Sequence, residues 1–129
     1  MPRPASKHPT DLELDILMVL WEKGPLSVRD VREALGPARK LATTTVMTIM
    51  NILVEKGYCS REKTGPVFVY SPKVTRETTS RRMLRDLMHR VFDDSPAAIM
   101  VNLLESSEVK EEELRELRDL INRKSEGQK

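Results

Sequence analysis

The stretch from Leu41 to Tyr58, LATTTVMTIMNILVEKGY, has a helical period with two unlike faces. One face is apolar and comprises Val46, Ile49, Met50 and Leu53. The opposite face is polar and comprises Thr44, Thr48, Asn51 and Glu55. Threonine is a poorer helix former than the lysine, glutamate and arginine that normally fill a water-facing surface. The pattern therefore predicts a helix with one core face and one face that contacts another molecule.

Short hydroxyl and amide side chains are suited to reading DNA. Threonine can bond a base or a phosphate and contact a thymine methyl group, and asparagine can pair bidentately with adenine in the major groove. We therefore predict DNA contacts on this helix at Thr43, Thr44, Thr45, Met47, Thr48 and Asn51. The alternative is that the three consecutive threonines only cap the helix and that Asn51 is a solvated surface residue.

Cations flank the predicted reading helix on both sides. Arg39 and Lys40 precede it directly and, together with the backbone N–H groups of the helix start, are placed for a phosphate. A solvated turn is the alternative for these two residues. Arg61 and Lys63 follow on a predicted hairpin and are expected to contact phosphates as well. Residues 1–73 carry eleven lysines and arginines against eight carboxylates, whereas residues 74–129 carry eleven against twelve. The basic half is thus the half that holds the reading helix.

Capping and turn signals predict two helices before the reading helix. A capping-box pattern at Thr10 opens the first helix, which ends at Gly24-Pro25. Ser27 caps a second, shorter helix, which Gly36-Pro37 stops. The apolar run at residues 26–28 predicts one short edge strand between these helices.

Two alternating strands, at residues 58–63 and 67–70, follow the reading helix around a Gly-Pro turn. Phe68 and Tyr70 share one strand face and are expected to pack onto the helices. The order helix, short strand, helix, helix, hairpin is that of a winged helix-turn-helix, in which the third helix enters the major groove and the wing reaches the flanking backbone. We predict a mainly α fold with a small β-hairpin wing, and a DNA-binding domain at residues 10–73.

Three amphipathic helices are predicted for residues 74–124, with starts at Thr75, Ser95-Pro96 and Glu111. About fifty residues cannot bury three apolar stripes against one another alone, so a symmetric homodimer is expected, and its two-fold axis matches a palindromic operator. The expected dimerisation residues are Met83, Leu87, Val91, Ile99, Leu103, Leu104, Leu114, Leu117, Leu120 and Ile121. A flexible basic arm (residues 1–9) and a disordered tail (residues 125–129) are expected at the ends.

Several function classes are disfavoured by what the sequence lacks. Cys59 is the single cysteine, and with two histidines it gives neither a disulfide nor a cluster at metal-ligand spacing, so no metal and no cofactor is predicted. No carboxylate pair or Ser/His/Asp set stands at a suggestive spacing, so an enzyme is not expected. No apolar run is long enough for a bilayer, and MPRPASKHP lacks the apolar segment of a signal peptide, which predicts a cytoplasmic protein.

Three segments, TTTVMTIMNILVEKG, VFVYSP and AAIMVNLLESSEVKEEELRELRDLI, resemble the penicillinase-repressor family of the BlaI/MecI type, over Thr10 to Lys124. The resemblance implies a homodimeric bacterial repressor on palindromic operators of resistance or metal-response genes, released when a membrane-sensor protease pathway triggers its cleavage. The family's cleavable Asn-Phe bond corresponds here to Asn102-Leu103, which keeps the asparagine and loses the aromatic ring. The copper-responsive branch has a cysteine-rich C-terminal metal site, and the absence of cysteine after residue 59 argues against copper sensing.

The reading helix departs from the family pattern. Where the family often has basic residues, this chain has Met47 and Ile52, so base readout would depend on Thr44, Thr48 and Asn51. The alternative function is a winged-helix protein-interaction module without sequence-specific DNA binding. In that case the Thr/Asn face would meet another protein.

Overall fold

The computed structural model describes residues 8–37 and 39–128, so the greater part of the predicted basic arm lies outside the described residues. The described chain forms two compact units, one ending at Leu84 and the other beginning at Arg85. The elements are, in order, α1 (Asp11–Lys23), β1 (Leu26–Ser27), α2 (Val28–Leu35), α3 (Thr43–Glu55), β2 (Cys59–Thr64), β3 (Val67–Pro72), α4 (Arg76–Val91), α5 (Pro96–Ser106) and α6 (Glu111–Gly127). The division between the units falls within α4, eleven residues beyond the sequence-based boundary at residue 73.

The first helix begins and ends as its sequence predicts. The hydroxyl of Thr10 accepts a hydrogen bond from the backbone N–H of Glu13 at 3.2 Å, and the Glu13 carboxylate accepts one from the N–H of Thr10 at 3.1 Å. These reciprocal bonds satisfy two backbone donors that the helix start would otherwise leave unpaired. Gly24 ends α1 with φ of +86°. Glycine adopts this backbone conformation readily because glycine has no Cβ atom.

The three strands form one antiparallel sheet in the order β1-β3-β2. The edge strand predicted at residues 26–28 is present, with Leu26 opposite Tyr70. The hairpin closes through a two-residue turn, Gly65-Pro66, with Thr64 opposite Val67. Helix, short strand, two helices and hairpin follow in the predicted order, and the fold is a winged helix-turn-helix.

The core of the first unit is built from α1, α2, α3 and the sheet. The apolar face predicted for the reading helix is confirmed, because its side chains lie against α1 and α2. The buried residues of this core are Ile16, Leu17, Leu20, Val31, Val46, Met50, Leu53, Tyr58, Cys59 and Tyr70. The expectation that Phe68 packs onto the helices is wrong, since its side chain is 41% exposed. Phe68 is the second residue after the hairpin turn and lies outside the core that includes Tyr70, and the Arg61 guanidinium covers its ring instead.

A buried ion pair joins the start of α1 to the end of α3. The Lys56 ammonium lies 2.7 Å and 3.0 Å from the two carboxylate oxygens of Glu13, whose side chain is only 4% exposed. At the other end of α1, the Trp21 indole N–H donates to the carbonyl of Val74 at 2.9 Å. The first contact fixes α3 against α1, and the second ties α1 to the chain that follows the sheet.

The second unit contains α5, α6 and the last residues of α4. Asp93 and Asp94 interrupt the helical run with φ of +49° and +58°, and the hydroxyl of Ser95 then caps α5 by accepting the N–H of Ala98 at 3.1 Å. The prediction of a disordered tail is wrong for residues 125–127, because α6 continues to Gly127. Its last turn places glycine, a poor helix former, only at the final position, after Lys124, Ser125 and Glu126.

The second unit buries little of its apolar surface. Within the part of it that the structure describes, Ile99 is the one buried hydrophobic residue, at 8% exposure. Its exposed large apolar side chains are Leu87, Val91, Met100, Val101, Leu103, Leu104, Leu114, Leu117, Leu120 and Ile121. None of the helices in the described ranges is long and apolar enough to cross a lipid bilayer.

Candidate nucleic-acid interface

The outer face of α3 carries the predicted row of short side chains. Thr43, Thr44, Thr45 and Thr48 are exposed, and Met47 is 44% exposed among them. The Thr48 hydroxyl donates to the backbone carbonyl of Thr44 at 2.9 Å, which uses its proton and leaves its oxygen lone pairs as acceptors. This surface has hydroxyl, methyl and thioether groups and no charge.

The start of α3 has no side-chain cap. The N-cap residue is Ala42, whose side chain cannot accept a hydrogen bond, and its carbonyl accepts the N–H groups of Thr45 and Val46, each at 3.1 Å. The capping explanation for the consecutive threonines therefore finds no cap bond in the structure. A helix start without a side-chain cap keeps backbone donors and the positive end of its dipole available to an anion.

The loop before α3 is anchored by two arginines. Arg39 makes an ion pair with Asp15 of α1 at 2.7 Å, and Arg32 Nε donates to the carbonyl of Leu41 at 2.8 Å. Lys40 stays exposed beside them. The three cations line an open cleft of about 470 Å³ next to the start of α3. Sequence reasoning missed Arg32, although its place in the last turn of α2, close to the loop, was an available signal.

The wing brings two further cations to the first unit's surface. Arg61 and Lys63 are exposed on β2, opposite Tyr70 and Phe68 in the antiparallel register. The Arg61 guanidinium carbon lies 4.6 Å from the centre of the Phe68 ring, a cation–π contact. The same guanidinium donates from Nη1 to Oδ1 of Asn51 at 2.8 Å.

Asn51 faces the sheet as well as the surface. Its Oδ1 accepts hydrogen bonds from Arg61 and from the hydroxyl of Tyr70, both at 2.8 Å. Bidentate pairing with adenine needs this oxygen as an acceptor, and an amide oxygen has two lone pairs, both of which are engaged here. Asn51 is thus neither a simply solvated residue nor set for adenine pairing in this conformation. Sequence reasoning missed both of these contacts, and it did not single out the Tyr70 hydroxyl at all.

Burial shifts the pKa of two ionisable groups in the first unit's core. Burial raises the pKa of the Cys59 thiol to about 11, so the thiol stays protonated at neutral pH. Burial is also the main reason that the pKa of Tyr58 is raised. Across residues 8–37 and 39–128, no group of three or more His, Cys, Asp and Glu side chains is arranged to hold a metal ion.

The remaining predicted positions lie in the helices that follow the sheet. Asn102 and Leu103 are exposed in α5, where the carbonyl of Asn102 accepts a hydrogen bond from the Ser106 hydroxyl. Met83 is half-buried in α4, and Ile99 is buried, unlike the other predicted dimerisation residues. Exposures from 37% to 66% are found at Leu87, Val91, Leu103, Leu104, Leu114, Leu117, Leu120 and Ile121.

Comparison with known proteins assigns this chain to one family. The sequence profile of a family described as penicillinase repressor matches residues 9–123. The penicillinase repressor of Bacillus licheniformis is 26% identical over 121 residues, which cover 91% of this chain and 94% of that protein. The methicillin resistance regulatory protein MecI of Mammaliicoccus sciuri is 22% identical over 112 residues, covering 87% and 91%. The solution structure of the DNA-binding domain of the repressor BlaI, at 26% identity and a TM-score of 0.50, covers 57% of this chain and 90% of that domain.

Proposed function

The chain belongs to the penicillinase repressor family, and we propose that it is a transcriptional repressor that binds a palindromic operator as a homodimer. The proposed partner is double-stranded DNA, because part of the chain is similar to the DNA-binding domain of BlaI. One observation carries it: the exposed, uncharged threonine face of α3 shares a unit with the uncapped start of that helix and a cationic wing. Occlusion of a promoter by the bound dimer would prevent transcription.

The proposal divides base contacts from phosphate contacts. Base edges are read from α3 by Thr44, Met47 and Thr48, with Thr43 and Thr45 at the helix start beside the DNA backbone. The backbone N–H groups at the start of α3 bind one phosphate. Further phosphates are contacted by the cations Arg39, Lys40, Arg61 and Lys63. The phosphate contacts supply salt-dependent affinity, whereas the α3 contacts supply the preference for one sequence.

The direct test is a binding titration of the full chain. Its own upstream DNA and an unrelated duplex of equal length are compared at low and at physiological salt. A specific repressor prefers its site by roughly 10³-fold or more, and the preference survives the higher salt. Thr48→Val, which removes a hydroxyl but keeps the shape, lowers that preference, while Thr64→Val at the hairpin turn is the matched control. If no genomic duplex is preferred in a genome-wide selection, the protein-interaction alternative is favoured.

Homodimerisation through the second unit is supported by its exposed apolar side chains. A monomer rarely exposes so many large apolar side chains within one short segment without a partner to cover them. A second copy has the same stripes, and a two-fold axis presents two α3 helices to the two halves of a palindrome. Ile99 is the predicted interface residue that one copy already buries, so its contribution to the dimer is the smallest.

Release from DNA by cleavage between Asn102 and Leu103 completes the proposal. Both residues are exposed, but the bond lies within α5, so a protease gains access only when that helix opens locally. Asn102→Ala should block fragment formation in cells exposed to a β-lactam, whereas the neighbouring Val101→Ala should not. Equal cleavage of the two variants, or intact protein after induction of its genes, would remove this step.

A further inference from the structure

A network of four side chains connects the reading helix to the wing. Asn51 of α3 accepts hydrogen bonds from Arg61 of β2 and Tyr70 of β3, both at 2.8 Å, and Phe68 lies 4.6 Å beneath the Arg61 guanidinium. Three of these residues belong to the hairpin and one to the helix. The network therefore spans the two elements that a winged helix uses to contact DNA.

The donors and acceptors of this network fix the orientation of the amide. Arginine can only donate hydrogen bonds, so the group that faces it must be Oδ1 and not Nδ2 of Asn51. Tyr70 is only 1% exposed, and a buried hydroxyl without a partner is costly. Turning the amide to offer Oδ1 to an adenine would leave the Tyr70 hydroxyl and one Arg61 donor without their acceptor.

The guanidinium of Arg61 is held from two sides and still faces solvent. The Asn51 oxygen fixes one of its five N–H donors, and the Phe68 ring covers one of its planar faces. Phe68 is itself 41% exposed, so the stack lies at the surface. The remaining donors are directed away from Asn51 and match the oxygens of a phosphate.

We propose that Asn51 is a positioning residue which, with Phe68, presets the wing residue Arg61 for a backbone phosphate, and that it does not read adenine. The proposal rests on the proposed function for its DNA partner. An arginine that is already ordered loses less conformational freedom when it binds. The benefit is independent of base sequence because phosphates are the same at every site.

The ordering of Arg61 is tested first, in the full chain without DNA. In the wild type, ¹⁵N relaxation of the Arg61 Nε–H group should show a rigid side chain, and in Asn51→Ala it should show a mobile one. Asn51→Asp keeps the acceptor and should keep Arg61 rigid. A mobile Arg61 in the wild type, or an equally rigid one in Asn51→Ala, overturns the proposal whether or not the protein is a repressor.

A double-mutant cycle then tests the use of Arg61 on DNA. Asn51→Ala should weaken binding by about three- to tenfold on the operator and by a similar factor on a random duplex. The double variant Asn51→Ala/Arg61→Ala should bind DNA no more weakly than Arg61→Ala alone, because both variants lose the same phosphate contact. Combined with Lys63→Ala, a wing cation outside this network, the effect of Asn51→Ala should be additive.

The base-reading alternative gives different outcomes in the same experiment. If Asn51 reads adenine, Asn51→Ala loses affinity on the operator only, and its effect adds to that of Arg61→Ala. Asn51→Asp separates the two roles if the alanine variant folds poorly. Its charge repels both duplexes alike, so the operator-to-random ratio persists if Asn51 positions Arg61 and collapses if Asn51 reads a base. A wild type without operator preference refutes the proposed function, but the cycle on the random duplex still tests Arg61.

Discussion

The two units use similar amphipathic helices and differ in where the apolar faces go. In the unit that ends at Leu84, the apolar faces of α1, α2 and α3 meet one another and the sheet around a common core. In the unit that begins at Arg85, α5 and α6 have comparable stripes, yet almost all of their large apolar side chains are exposed. One unit completes its core within a single copy, whereas the described part of the other leaves most of its large apolar side chains at the surface.

The contrast shows what an amphipathic pattern can specify. Periodicity identifies the side chains that favour burial, but the same period serves a neighbouring helix and a second molecule equally well. The first unit has a sheet and a buried Glu13–Lys56 pair to hold its helices in place. In the second unit, short loops at residues 92–95 and 107–110 join the helices. Substitutions in each unit should therefore have effects of different kinds.

The largest expected effect is from Leu20→Ala in the first unit. Leu20 is 1% exposed in the core, and losing a fully buried leucine costs about 2–5 kcal/mol of unfolding free energy. Urea denaturation of the full chain at a fixed protein concentration measures the loss. Met18→Ala, on the same helix but 38% exposed, should cost much less. Equal losses for the two variants would show that the first unit's core is not where the structure places it.

Lys56→Met should have the next largest effect. It leaves the Glu13 carboxylate buried without its cation, which costs about 3 kcal/mol when a well-buried pair is broken on one side. Lys23→Met removes the same charge from an exposed position and is the matched control. Adding Glu13→Gln to Lys56→Met should recover part of the loss, because no unpaired charge then remains. A loss as small as that of the control would mean that water reaches the pair.

Much of the first unit could be predicted from its sequence because local signals act there within a few residues. The cap at Thr10 and the turn at Gly65-Pro66 give the order of the elements, and a core face with a helical period locates α3. The exposure of Phe68 could not be predicted, because strand alternation places it on the same face as the buried Tyr70. How far the helices extend over that face is a tertiary property, and it leaves Phe68 exposed.

The candidate site was predicted in its composition more than in its geometry. The exposed threonines of α3 and the cations beside them follow from periodicity and charge. The contacts of Asn51 do not, since Arg61 and Tyr70 are ten and nineteen residues away and meet it only when the hairpin folds onto α3. The ion pair of Arg39 with Asp15 is equally non-local. The helical C-terminal end of α6 was missed because charged residues suit both a tail and a solvated helix.

In the second unit, Leu120→Ala should affect association more than folding. Leu120 is 54% exposed in one copy, and its loss from a dimer interface should weaken dimerisation by about 1–2 kcal/mol for each copy. Sedimentation equilibrium of the full chain measures this change, with Glu116→Ala on the same helix as the control. The urea resistance of the first unit should stay the same. A wild type that remains monomeric at high micromolar concentration would refute the dimer and leave the exposed stripes unexplained.

The smallest expected effect tests whether water reaches Cys59 in the first unit's core. Burial raises the pKa of Cys59 from its ordinary 9.0 to about 11, so the unfolded chain loses the thiol proton first as the pH rises. The stability that depends on this thiol is complete well below pH 9 and declines from about pH 9 to pH 11, with a loss on the order of 1 kcal/mol at pH 9.5. Urea denaturation at pH 7.5 and 9.5 should show a larger loss of unfolding free energy in the wild type than in Cys59→Ala, since the alanine variant has no thiol to titrate. An identical decline in both proteins would mean that water solvates the thiol, and the first unit would then enclose its core less completely than its buried residues indicate.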